Sequence, residues 1–210
     1  MRAAEAKPRG RVAEGGRIYL RPVSLADAGP RYLGWINDPE VNRYLESRFE
    51  TATLAGLRAF IASMRADPAT HFLAIVLKAG NRHIGNIKLG PVNRVHGFAE
   101  IGILLGEKDC WGKGYATEAI SLLCGFAFGS LGLHKLTAGA YAANRGSVRA
   151  FLKAGFSREG RKRDQYRCGD GYQDLVLLGK VAPAETPAQR SRAARREPPR
   201  RDRGQGGKRV

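Results

Sequence analysis

Trp111-Gly112-Lys113-Gly114-Tyr115-Ala116-Thr117 (WGKGYAT) lies between an apolar run, residues 98–105 (FAEIGILL), and residues 116–128, where Ile120, Leu122, Leu123 and Phe126 are spaced for burial on a helix. The reading is strand, glycine loop, helix. Glycines at 112 and 114 let the backbone turn with its N–H groups inward, and the N-terminus of the following helix adds partial positive charge. Such a nest takes a phosphate or pyrophosphate, and Ala116 is small enough for a close approach. Spacing disfavours two other uses of glycine loops. GxxxxGK[ST] is absent, and Thr117 stands where GxGxxG needs its third glycine, so neither a nucleotide hydrolase nor a dinucleotide enzyme is indicated.

Upstream of the loop, residues 17–22 (RIYLRP) alternate like a first strand. Ser24 and Asp27 form a capping box for a short helix over residues 25–36, which Asn37-Asp38-Pro39 interrupts. Thr51 or Thr53 then caps a second helix, with Leu54, Leu57, Phe60, Ile61 and Met64 at helical spacing, and Asp67-Pro68 stops it. Residues 72–78 (FLAIVLK) and 82–89 (RHIGNIKL) are strands joined through Ala79-Gly80-Asn81, which predicts a hairpin. Downstream, residues 134–141 (HKLTAGAY) form a strand, Asn144 caps a helix over residues 145–153, and Gly155 ends it. Two last strands, 156–167 and 172–181, flank the turn Cys168-Gly169-Asp170-Gly171.

Two blocks carry a resemblance. The loop resembles the pyrophosphate-binding [QR]-x-x-G-x-[GA] motif of the GNAT acetyltransferases, with Gly114 and Ala116 in place and Trp111 in the first position, where the pattern has Gln or Arg. WGKGYATEA is similar to the branch that includes ribosomal-protein N-terminal acetyltransferases. The second block, Tyr141, Asn144, Ser147, Phe151 and Gly155-Phe156, resembles the family's strand-to-helix segment beside the acetyl-CoA thioester. The order of elements agrees across residues 17–181. The resemblance implies an α/β (α+β) fold: a central mixed, mostly antiparallel sheet, splayed between the fourth and fifth strands (98–105 and 134–141) and flanked by about four helices. Acetyl-CoA is the implied cosubstrate. Its phosphates fall to Trp111, Gly112, Lys113, Gly114, Tyr115, Ala116 and Thr117. Its pantetheine falls to the backbone of Ile103 and Leu105 and to Asn144.

Acetyl transfer to an amine needs a neutral nucleophile, a polarised carbonyl and a proton for the departing thiolate; it requires neither a covalent enzyme intermediate nor a metal. Glu100, alternating with apolar neighbours on the strand that enters the loop, is the candidate base. Ser147 is the candidate donor to the sulfur. Many enzymes of this kind have an acid tyrosine where this sequence has Phe151, which leaves Tyr141 as a substitute. Glu118, in the first turn of the loop's helix, reads as a dipole partner. The four histidines lack ligand spacing, so no metal is expected; His96 is the one that could line an acceptor site.

Composition bounds the rest. With 43% hydrophobic and 26% charged residues in 210, the chain reads as one globular domain, residues 17–181, between a flexible arm (1–16) and an Arg-rich tail (182–210) too poor in large apolar residues to order itself. Of the +17 formal charge, +6 lies in the tail (nine Lys/Arg against three Asp/Glu), +3 in residues 1–17 (five against two) and +8 in between. The tail offers nonspecific contact with RNA. Lacking a long apolar run or a signal-like N-terminus, the chain is expected to be cytoplasmic and to have no membrane partner. Three cysteines without CxxC spacing indicate neither disulfides nor zinc. The acceptor reads as a small-molecule amine such as a nucleotide-linked amino sugar, or as a protein N-terminus; a non-catalytic acyl-CoA sensor or RNA-binding module is the alternative of another class. Acceptor choice falls to residues 38–50 and 91–97. Monomer and homodimer both remain open.

Overall fold

The computed structural model describes residues 10–184. Its strands are β1 (Ala13–Glu14), β2 (Ile18–Pro22), β3 (His71–Leu77), β4 (Arg82–Leu89), β5 (Phe98–Leu105), β6 (Lys135–Tyr141), β7 (Ser157–Cys168) and β8 (Gly171–Val181). Its α-helices are α1 (Pro30–Asn37), α2 (Leu54–Ala66), α3 (Tyr115–Gly125) and α4 (Arg145–Lys153). The strands form one sheet in the order β1-β2-β3-β4-β5-β6-β8-β7, antiparallel at every step except β5–β6.

Period-two alternation divides the core between the two faces of this sheet. Ile18, Leu20, Leu73, Ile75, Ile87, Leu89 and Ile101 pack on the side of α3 and α4, with Ile120, Leu123 and Phe151. Tyr19, Ala74 and Val76 face the other way, onto Tyr32 and Trp35 of α1 and Leu57 and Ile61 of α2. Each fully buried Leu or Ile contributes about 1.5–3 kcal/mol. Trp35 packs so close to Gly106 that a Cβ there would sit 2.0 Å from the indole, so the turn after β5 needs glycine.

The elements differ from the sequence expectation in two places. The helix expected over 25–36 is a 3-10 turn at Leu25–Asp27 followed by α1, because Pro30 lacks an N–H and occupies the first turn of a new helix after Gly29. The Asp27 carboxylate still accepts the Ser24 N–H (2.7 Å). The second difference is β1, in residues read as arm: Gly15-Gly16 turns the chain back, Ala13 and Glu14 pair with Leu20 and Tyr19, and Val12 N–H donates to Leu20 O (2.7 Å). Two residues give no periodicity to read. The Arg-rich tail lies outside the described residues beyond 184.

What positions the site is the meeting of β5 and β6. They pair only at Phe98–Lys135, Ala99–Leu136 and Glu100–Thr137. Beyond that, β5 follows β4 to Leu105 and β6 follows β8 to Tyr141, so the two diverge. This is the splay expected between the fourth and fifth strands, renumbered because β1 precedes them.

Candidate functional site

The divergence leaves a row of β5 backbone groups without a strand partner. Gly90 N–H donates to Glu100 O (2.8 Å), which turns the Glu100 backbone toward the β4 side. By alternation, Ile101, Ile103 and Leu105 present theirs to the side that β6 has left. Trp111 meets that row from the loop: its indole N–H donates to Leu105 O at 2.8 Å. The first motif position therefore caps the last carbonyl of the open row.

The loop itself needs its glycines. Gly112 and Gly114 have φ of 73° and 82°, the left-handed region, and Gly114 is the N-cap of α3. The first-turn N–H groups of α3 have no helical acceptors and suit an anion. Arg17, at the start of β2, holds this loop from behind. Its Nη1 donates to Lys113 O (2.8 Å), its Nε to Glu118 (2.8 Å), and its guanidinium lies 4.6 Å from the centre of the Tyr115 ring. Glu118 also accepts the N–H groups of Arg17 (2.9 Å) and Ile18 (3.3 Å). Burial pushes the Glu118 carboxyl up, but these donors together hold it below its ordinary value. Glu118 thus ties α3 to β2, a more specific task than the dipole partnership expected for it.

A cavity of about 590 Å³ opens along this loop, within the usual range of roughly 300–1,000 Å³ for small-molecule sites. Ile103, Leu104 and Leu105 line it from β5; Cys110, Trp111, Gly112, Gly114, Tyr115, Ala116 and Thr117 from the loop and α3; Asn144, Gly146, Ser147, Arg149, Ala150 and Lys153 from α4. Glu40, Val41, Arg43, Tyr44 and Leu45 form the opposite wall. Asn144 caps α4 by accepting the Ser147 N–H (3.1 Å). The Cys110 thiol is buried, which pushes its pKa up.

Three of the residues expected at the site are not on the wall of this cavity: Lys113, Glu100 and Tyr141. Lys113 contributes its carbonyl to Arg17. Glu100 is exposed on the last paired rung of β5 and β6, on the sheet face it shares with Leu104. Tyr141 has another task. Its hydroxyl donates to Glu46 (2.7 Å) and accepts from Arg48 (3.0 Å); burial and the Glu46 bond push it up to about 12, against the pull of Arg48. That is a poor proton donor, and its ring stacks on Tyr166 with centroids 4.8 Å apart. Phe151 is core, packed edge-on to Phe156. His96 stacks on Phe98, and residues 91–97 supply nothing to the cavity wall. Sequence reasoning missed Arg149 and Lys153, although Arg145, Arg149 and Lys153 repeat every four residues on a predicted helix. Among the described residues no group of three or more His, Cys, Asp or Glu is arranged to hold a metal, and no helix is long and apolar enough to cross a membrane.

Residues 17–157 match the Acetyltransferase (GNAT) domain family. The chain is 31% identical to N-acetyltransferase p20 of Bacillus licheniformis, over 77% of this chain and 91% of that protein. It is 29% identical to the spermidine N(1)-acetyltransferase of Escherichia coli (strain K12), over 77% and 84%. The fold superposes on the spermidine N-acetyltransferase of Vibrio cholerae, solved with CoA and spermine, with a TM-score of 0.70 at 23% identity, covering 78% of this chain and 95% of that one. The pyrophosphate-type loop, the open strand edge beside it and these matches agree: the chain belongs to the GNAT acetyltransferases and is an acetyl-CoA-dependent acyltransferase.

Proposed function

We propose that the acceptor is a small-molecule primary amine, which attacks the acetyl thioester directly while both substrates are bound. The observation that carries this reading is the fastening of residues 38–50, the wall facing α4. Lys108 holds Asp38 (2.8 Å) and Glu40 (2.7 Å), Asn42 donates to Ile36 O (2.7 Å), Tyr141 holds Glu46, and Arg48 donates to Arg167 O (2.5 Å). A wall pinned along its length leaves a bounded opening that suits a compact acceptor. Lys108 is shared by Asp38 and Glu40, one cation against two carboxylates, and the Glu46 side chain, which pairs with Arg48 at 3.8 Å, stays 65% exposed beside Tyr141; this surplus of acid suits an amine cation. That a curated relative acts on spermidine is in keeping with such an acceptor.

In this reading the amine nitrogen forms the bond to the acetyl carbon and the carbon–sulfur bond breaks. Glu100 takes the proton from nitrogen, directly or through water, and the Ser147 hydroxyl donates a hydrogen bond to the departing thiolate, which takes its proton from solvent. The test is thiol release from acetyl-CoA with polyamines, amino sugars, nucleotide-linked amino sugars and N-terminal peptides as acceptors, beside a Gly114→Glu control. Turnover on small amines, lost in the control, is the expected result. Turnover on peptides alone would overturn the acceptor class, and thiol release with no acceptor consuming acetyl would overturn the transferase reading.

A further inference from the structure

α4 carries Arg145, Arg149 and Lys153 four residues apart, so the three cations lie in one row along its surface. Like charges at this spacing repel and weaken a helix, and among the described residues none of the three makes an ion pair. The row is not needed for packing, since α4 buries Val148, Ala150 and Phe151 on its other side. Arg149 and Lys153 line the acetyl-CoA cavity together with the first turn of α3. Across it stand Arg43, a further cation, and Glu40, which shares Lys108 with Asp38 and pairs with neither Arg149 nor Lys153. One flank of the cavity therefore carries positive charge that no protein group balances.

Coenzyme A presents two kinds of phosphate. The pyrophosphate suits the backbone N–H groups between Gly112 and Thr117, which are donors without net charge. The monoester on the ribose carries close to two negative charges at neutral pH and is best held by charged donors, above all the planar fork of an arginine. We propose that Arg149 and Lys153 form a phosphomonoester site for the ribose 3′-phosphate of CoA, and so make the enzyme select CoA over its 3′-dephospho form. This rests on the cavity being the acetyl-CoA site.

Calorimetric titration of the full chain with CoA and with 3′-dephospho-CoA tests it, using the wild type, Arg149→Gln/Lys153→Gln, and Arg145→Gln. Arg145 is the comparison because it belongs to the row but not to the cavity wall. The wild type is expected to prefer CoA by about tenfold or more, the scale of one or two charge-assisted contacts. The double variant is expected to lose that preference while binding 3′-dephospho-CoA as the wild type does, which also shows that it is folded. Arg145→Gln should keep the preference. Equal binding of both ligands by the wild type, or equal weakening of both in the double variant, would overturn the phosphomonoester site alone. No binding of either ligand by the wild type would overturn the cavity as the CoA site, and this inference with it.

Discussion

Glu100 and Tyr141 are polar residues on the same face of adjacent strands, and their neighbours separate what each can do. Glu100 is exposed where β5 and β6 part, whereas the Tyr141 hydroxyl is committed to Glu46 and Arg48. Glu100→Gln should lower kcat by about 10²-fold or more with little change in the KM for acetyl-CoA, the usual scale for loss of a general base. A kcat within twofold of wild type would remove it from the mechanism. Tyr141→Phe should leave the pH profile of kcat unchanged in the neutral range, since a hydroxyl pushed up to about 12 stays protonated there, and should cost about 1 kcal/mol in denaturant titration. A shifted profile would restore Tyr141 as a proton donor. Asp27 sets an acid-side limit. Burial pushes its carboxyl up, but the Arg21 guanidinium and the Ser24 N–H more than offset this and leave it at about 2. Its folded value lies below the ordinary 3.8, so its contribution is present above that pH and is lost as pH falls toward about 2. Arg21→Gln should therefore raise the pH of acid unfolding followed by circular dichroism; an unmoved midpoint would discount the pair. None of these roles was visible in spacing alone. Strand alternation marked Glu100 as polar among apolar neighbours, but the partners of Tyr141 come from a segment nearly a hundred residues away.

At the scale of elements, local signals carried most of the assignment. α4 spans the predicted residues 145–153 because Asn144 caps it and Gly155, with φ of 87°, ends it. β3 and β4 form the predicted hairpin, with Gly80 and Asn81 both at positive φ in the turn. The fastening of α3 to β2 was not legible, because Arg17 and Glu118 are a hundred residues apart in sequence and neither breaks a local pattern. That contact has a functional reading. Glu118→Ala should lower stability by about 1–3 kcal/mol, the cost of losing charge-assisted bonds. It should also raise the KM for acetyl-CoA several-fold, since the Lys113 carbonyl would lose the arginine that holds it. An unchanged KM despite a lower Tm would mean that the clamp serves the fold and not the loop. The wall at residues 38–50 was expected to face the acceptor, yet which of its side chains reach the cavity depends on pins to Lys108, Tyr141 and Arg167, all distant in sequence.

For the molecule as a whole, charge and topology act separately. Every residue lining the cavity lies between Glu40 and Lys153, while residues 185–210 hold nine Lys/Arg and three Asp/Glu, so removing them takes the formal charge from +17 to +11. A chain ending at Ala184 should keep its kcat and KM with small amines and lose part of its salt-sensitive retention on RNA. A fall in kcat would give the tail a part in acetyl transfer. The topology was legible because the resemblance rests on a loop and a strand order, and the parting of β5 and β6 follows from both. That parting has a consequence for handling the protein. Ile101, Ile103 and Leu105 make an edge strand inside the sheet, a template on which another chain's strand could zip during heating. The Trp111 indole blocks its last rung. Without CoA, the enzyme should therefore aggregate at a lower temperature when Trp111 is replaced by alanine; with the pantetheine expected along this row, saturating CoA should protect both forms. In that sense Trp111 stands in, at the last rung, for the partner strand that β5 lacks there.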